Sequence, residues 1–175
     1  MRTQESPSAA LPIAHVVLRI LIVLNWFMAA AILILLFVSP NERWIMSAFD
    51  LTPSPEATGL VMGLRGIAVL GLVAIPLNYA ILKRLLAIVE TVRAGDPFVD
   101  ANASRLQTIA WVLLTLQLLS LVIGAIAKAV ALPGKPLDID AGFSVNGWLA
   151  VLLTFLLARV FAEGTRMRDD LEGTV

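Results

Sequence analysis

The sequence contains no cysteine and one histidine, and few of its residues carry a charge. Without cysteine the chain forms no disulfide, no thiolate metal site and no thiol nucleophile. His15 alone is too little for a metal site built on several histidines. The 13 basic and 13 acidic residues give a formal net charge of zero, which argues against direct nucleic-acid binding through bulk electrostatics.

Sequence patterns typical of catalytic sites are missing as well. No glycine-rich phosphate loop occurs, and His15 has no acidic residue close in sequence with which to form a Ser/His/Asp set. A short strand or hairpin is one interpretation of the loop 131–146. In such a strand, Asp138 and Asp140 would share one face. Without a third ligand we interpret them as solvated charges. The sequence therefore predicts no catalytic residue, no cofactor and no metal, and a protein that is not an enzyme.

Apolar residues are instead in excess. Hydrophobic residues make up 59% of the chain and charged residues 15%, and the mean hydropathy is +0.88. Soluble domains average about 45–50% apolar and about 25% charged residues. Both differences favour a lipid bilayer as the solvent of this chain.

Apolar segments long enough to cross a bilayer, which takes about 20 helical residues, occur four times. They cover approximately residues 13–38, 59–82, 106–130 and 143–162. A signal peptide is the competing interpretation of the first segment, but the apolar run exceeds the about 7–15 residues of a signal sequence. We predict one domain over residues 1–175: an all-α integral membrane bundle of four transmembrane helices with a charged tail at 163–175.

The second membrane segment continues into an amphipathic helix that ends near Ala94. Apolar residues recur at helical spacing after Lys83, with charged residues between them. Gly95 supplies a helix stop, and Pro97 prevents the helix from resuming. Asp100 or Asn102 is predicted to cap the next helix.

This central stretch is the candidate surface for a partner protein. The alternative is a connector whose residues only shape a turn. We further predict that the helix 83–94, the turn 95–98 and the tail 163–175 form one surface. The candidate partner surface consists of Arg84, Glu90, Arg93, Asp96, Pro97, Phe98, Asn102 and Arg105.

The distribution of basic residues predicts the orientation. Four spans place both termini and the central stretch on one side, which carries seven Lys and Arg residues, against three on the other side. The positive-inside rule then places both termini in the cytoplasm and the amphipathic extension with them. The predicted location is a bacterial inner membrane.

Several polar residues fall within or at the edges of the predicted spans. Arg19, Arg65 and Arg159 are close enough to span ends to extend toward the headgroups. A sharper hypothesis gathers some of these polar residues into one cluster at the inner leaflet, and that cluster consists of Arg19, Asn78, Arg159 and Glu163.

Asn25 and Gln117 are predicted to lie near mid-membrane at similar depth. We expect them to face the bundle interior and to hydrogen-bond to each other or to backbone carbonyls, for a gain of about 0.6 kcal/mol. The alternative is a polar path for a transported solute, although two amides without a carboxylate make a poor ion site.

Two motifs resemble a known family. The central GDPFVDANASRL resembles a G-x-PF-x(3)-N-x(3)-L pattern, and the end of the chain resembles an EG-x(5)-D-x-EGTV pattern. The pattern residues are Gly95, Pro97, Phe98, Asn102 and Leu106, then Glu163, Gly164, Asp170, Glu172, Gly173, Thr174 and Val175. With four membrane segments, the chain resembles the bacterial family of domain of unknown function 2975. That resemblance implies a four-helix inner-membrane protein and no assigned reaction, and it suggests a small helix-turn-helix regulator as a class of partner.

These observations favour a non-enzymatic signalling or regulatory protein embedded in the bilayer and bound to a cytoplasmic protein. Two alternatives stay open. One is an immunity or envelope-homeostasis protein, and the other is a small transporter or accessory subunit. The sequence indicates no oligomeric state.

Overall fold

The computed structural model describes residues 10–38, 45–47, 52–132 and 141–172. They form the long helices α1 (Ala10–Val38), α2 (Pro55–Arg93), α3 (Asp100–Val130) and α4 (Val145–Glu172). All four are long and apolar enough to cross a membrane, and no β-strand occurs in the described ranges. The predicted all-α fold with four candidate membrane spans is confirmed. The predicted hairpin at 131–146 falls mostly on residues 133–140, which lie outside the described residues.

Neighbouring helices in the sequence are also neighbours in space. α1 packs on α2, α2 on α3, and α3 on α4, whereas the described residues of α1 and α4 make no close backbone contact. The helices therefore form an open row in chain order. This order decides which polar residues can meet, since α2 is the only other long helix that the described backbone of α1 approaches closely.

The longest helix, α2, has clear sequence signals at its start. Ser54 is its N-cap, with the side-chain hydroxyl accepting a hydrogen bond from the Ala57 N–H at 3.1 Å, and Pro55 follows in the first turn. The helix has 39 residues. At 1.5 Å per residue it is roughly 58 Å long, about twice the thickness of a hydrocarbon core. Part of α2 must therefore lie outside the hydrocarbon.

The segment that leads into α4 packs on the side of α3 and not at its end. Gly142 packs against Gly124, and its N–H donates to the Ser120 hydroxyl at 3.1 Å. A Cβ on Gly124 would lie 2.7 Å from the Gly142 Cα, so this close backbone approach requires glycine. Irregular backbone is tolerated at membrane depth only when protein or a water-filled cavity covers it, and α3 supplies such cover here.

The two ends of the molecule differ in how they are built. At one end, residues 45–47 are helical, and Ile45 and Met46 are buried against Ala57 and Val61 of α2. At the other end, α2 and α3 are joined by the short segment 94–99. We call residues 91–105 the α2–α3 junction, and the end of the molecule that carries it the junction end.

Candidate functional site

The α2–α3 junction begins with a helix stop built on Gly95. Gly95 has φ +87°, a left-handed conformation that favours glycine. Its N–H donates to the Val92 carbonyl and the Asp96 N–H donates to the Thr91 carbonyl, each at 3.1 Å. This pair of bonds is the Schellman motif, which satisfies carbonyls left free at a helix end. The stop predicted at Gly95 is confirmed.

Asn102 occupies the centre of the junction and is fully buried, with 0% exposure. Its Nδ2 donates to the Thr91 hydroxyl at 2.7 Å and to the Pro97 carbonyl at 2.8 Å. Its Oδ1 accepts from Arg105 Nη1 at 2.8 Å. The amide thus ties the last turn of α2, the turn and the first turns of α3 together.

The predicted cap of α3 is wrong. The N-cap is Val99, which makes no side-chain cap bond, and Asp100 is already the first helical residue. Asn102 reaches back to α2 instead of capping its own helix. Full burial also removes Asn102 from any partner surface, because a partner cannot touch it.

Phe98 connects the junction to α4. Its ring packs on the Phe161 ring with the centroids 5.3 Å apart. A Cβ on Gly164 would lie 2.9 Å from Phe98 Cδ1, so the ring is seated where glycine leaves space. Phe98 belongs to the first family-like pattern and Gly164 to the second, so the two patterns meet at this contact.

A charged contact lies beside the ring. Arg168 of α4 forms an ion pair with Asp96 of the turn, and its Nη1 also lies 3.5 Å from the Phe98 carbonyl. Both charged side chains are partly exposed, so the pair is worth about 0–1 kcal/mol. The turn and the described end of α4 are therefore in contact, which is one part of the surface predicted from the helix 83–94, the turn and the tail; the side of the membrane on which it lies stays a prediction.

The remaining candidates of the partner surface separate into bonded and exposed residues. Arg84 donates to the Ala80 carbonyl of its own helix at 3.1 Å, and Arg105 lies 3.4 Å from the Ala87 carbonyl. Pro97 is half-buried, whereas Glu90, Arg93 and Phe98 are exposed. Glu90 is also approached by His15 of α1, with 3.9 Å between the imidazole nitrogen and the carboxylate.

The predicted pairing of Asn25 with Gln117 is wrong. Asn25 Nδ2 instead donates to the Ile75 carbonyl of α2 at 3.2 Å. The predicted alternative, a bond to a backbone carbonyl, is therefore confirmed for Asn25. Gln117 lies at the α3–α4 interface, packed against Gly147, and its Nε2 has no hydrogen-bond partner among the described residues. The open row of helices keeps the two amides apart.

The predicted inner-leaflet cluster does not form either. Arg19 is on α1, which does not touch α4, where Arg159 and Glu163 lie. Asn78 donates to the Ala74 carbonyl of its own helix at 3.0 Å. Glu163 pairs with Arg166 at 3.7 Å and not with Arg159. Arg65, which lies half-buried in α2, is outside this group.

Thr91 and Phe161 contribute to the junction but were not singled out by the sequence. The sequence signal for Thr91 was its position as a polar residue on the apolar face of the amphipathic helix, one turn after Ile88. In the structure its hydroxyl donates to the Ile88 carbonyl at 2.7 Å. Phe161 carried no such signal, because it sits in an apolar run. Within the described ranges, no three His, Asp or Glu side chains gather as a metal site requires.

Four helices of membrane-spanning length and composition, joined in an open row, define a multi-pass membrane protein. The chain belongs to the family described as Protein of unknown function (DUF2975), whose model matches residues 40–175. The resemblance inferred from the two motifs is thereby confirmed. No curated protein and no solved structure matches the chain.

Proposed function

We propose that this is a non-enzymatic regulatory protein of the bacterial inner membrane whose junction end binds a cytoplasmic protein. The observation that carries the proposal is the convergence at the junction end of residues from both family motifs. Asn102 and Gly95 hold the backbone there, while Phe98, at 42% exposure, keeps part of its ring at the surface. A surface fixed before binding loses less entropy when a partner docks.

The charges of this surface favour a protein partner. Glu90, Arg93 and Asp100 are exposed around the turn, beside the Asp96–Arg168 pair. Both signs alternate over a short distance, which suits electrostatic complementarity with another protein. A nucleic-acid phosphate backbone would instead require a surface of predominantly positive charge.

The orientation is supported by the basic residues. Lys83, Arg84 and Arg93 precede the turn on α2, Arg105 follows it on α3, and Arg166 and Arg168 lie on the adjoining part of α4. The positive-inside rule places this end in the cytoplasm. The partner class proposed from the family resemblance is a small helix-turn-helix regulator, of the kind encoded beside some members of the family.

The test is a titration of that purified regulator against the protein in lipid nanodiscs. The probing variant is Arg93→Glu, because Arg93 is exposed and lies in the last turn of α2. We expect the affinity to fall roughly tenfold, which corresponds to about 1.4 kcal/mol. Phe98→Ala is a poor probe, since its ring also packs on Phe161 and the variant would weaken the fold itself.

Lys128→Glu is the matched control. Lys128 is likewise exposed and lies in the last turn of α3, at the opposite end of the molecule. The control should bind the regulator as the parent does. Failure of the parent protein to bind the regulator, or an equal loss in both variants, would reject the proposed surface.

A further inference from the structure

An open cavity of about 360 Å³ lies between α3 and α4 near the junction end. Three alanines give it space, a phenylalanine closes one side, and three side chains with N–H or O–H donors line the rest. The lining residues are Ala103, Ser104, Gln107, Phe155, Ala158, Arg159 and Ala162. The cavity adjoins the junction, because Ala103 and Ser104 lie between Asn102 and Arg105, but no residue of the candidate partner surface lines it.

The chemistry of the lining suits an anion. The side chains of Arg159, Ser104 and Gln107 form no hydrogen bond or ion pair with other described residues, so their donors are available. No carboxylate lines the cavity. Asp100 lies one turn before Ser104, and Glu163 lies one turn after Arg159 and directly follows the lining residue Ala162, but Glu163 pairs with Arg166 at 3.7 Å. Guanidinium forks bind phosphate oxygens with paired, charge-assisted hydrogen bonds.

An apolar groove continues from this cavity along α4. It has a volume of about 570 Å³ and shares Phe155 with the cavity. Trp111 packs edge-on against Phe155 with the ring centroids 5.3 Å apart, which fixes the ring at the boundary. The groove runs from Phe155 away from Arg159 toward the start of α4, and its lining is Leu114, Phe143, Val145, Trp148, Leu149, Val151, Leu152 and Phe155.

We propose that the α3–α4 face binds one anionic phospholipid. Its phosphate lies in the cavity on Arg159, Ser104 and Gln107, and an acyl chain follows the groove beyond Phe155. The order of the two sites matches a lipid of the leaflet at the junction end, with the headgroup at the charged end and the tail toward mid-membrane. Basic pockets between membrane helices recognise anionic headgroups in this way. A free phosphate would fill the cavity but not the groove.

The test uses the full-length protein in nanodiscs of phosphatidylcholine with and without phosphatidylglycerol. We expect phosphatidylglycerol to raise the melting temperature and native mass spectrometry to show one retained anionic lipid. Arg159→Gln should lower the apparent lipid affinity roughly tenfold, or about 1.4 kcal/mol. Lys83→Gln is the matched control, because it removes one positive charge from an exposed site on α2 that does not line the cavity, and it should retain the lipid.

A second variant tests the site without touching the arginine. Ser104 is exposed on α3, so Ser104→Glu places a carboxylate in the cavity without disturbing the core. It should abolish the preference for phosphatidylglycerol. The proposal is overturned if Ser104→Glu keeps that preference, or if Arg159→Gln and Lys83→Gln behave alike. It is also overturned if inorganic phosphate in pure phosphatidylcholine gives the same rise in melting temperature, because the site would then bind a free anion.

Discussion

Asn102 and Gln117 are both buried amides of α3, but their surroundings are opposite. Asn102 has 0% exposure, and its three hydrogen bonds join α2, the turn and α3. Gln117 has 9% exposure, and its Nε2 has no partner among the described residues. One region is held by a polar network, whereas the other is held by the fit of a side chain against Gly147.

The difference shows how one helix can serve two purposes. A satisfied buried network fixes a single geometry, because every alternative leaves a donor or acceptor without a partner. A contact of a side chain with a glycine depends instead on the close approach of two helices. The junction is therefore held by polar bonds, and the α3–α4 interface at mid-height by close packing.

Removal of the Asn102 amide should disrupt the junction and cause the largest loss in the free energy of unfolding. Asn102→Leu leaves the Pro97 carbonyl and the Arg105 guanidinium without their buried partner. Unsatisfied buried groups cost about 1–3 kcal/mol each, so we expect a loss of about 3 kcal/mol. The free energy of unfolding can be followed by tryptophan fluorescence in mixed micelles, since the chain has four tryptophans.

Asn146→Leu is the control for that substitution. Asn146 is exposed near the start of α4, and the same chemical change there should alter the free energy of unfolding by less than about 0.5 kcal/mol. Similar losses at both positions would show that the Asn102 network adds no stability beyond that of a surface amide.

Filling the space at Gly164, where the Phe98 ring packs, should cause the next largest loss in the free energy of unfolding. Gly164→Ala puts a Cβ 2.9 Å from Phe98 Cδ1, so the ring or α4 must shift. Overpacking of this kind costs about 1–3 kcal/mol. Gly59→Ala is the matched control in α2, because nothing lies within 4 Å of its added Cβ. It should be neutral or slightly stabilising, and a Gly164 variant that is equally harmless would contradict the seating of the ring.

The sequence allowed the spans and the helix stop to be predicted because local rules decide them. Run length identifies a membrane helix, and Gly95 with Pro97 ends α2 whatever surrounds them. The role of Asn102 was missed for the opposite reason. A polar residue near a helix start looks like a cap, and only the packing of α3 against α2 shows that Thr91 is within its reach.

The two wrong predictions about polar residues of the spans have one physical cause. Helix counting gives the depth of a residue but neither the rotation of its helix nor the identity of the neighbouring helix. Asn25 and Gln117 were matched by depth, yet α1 contacts only α2. The prediction of an inner-leaflet cluster was wrong for the same reason, and Arg159 instead lines the α3–α4 cavity.

The smallest expected effect tests the unpartnered amide of Gln117. Gln117→Leu removes a buried Nε2 that bonds to no described residue, so the free energy of unfolding should stay the same or rise. Asn25→Leu is the comparison, since it removes a 3.2 Å bond to the Ile75 carbonyl and should cost about 0.6 kcal/mol. Tryptophan fluorescence in the same micelles resolves the two variants when they are measured together. If Gln117→Leu destabilises the protein more than Asn25→Leu does, the Gln117 amide has an essential bonding partner and the contrast drawn between Gln117 and Asn102 fails.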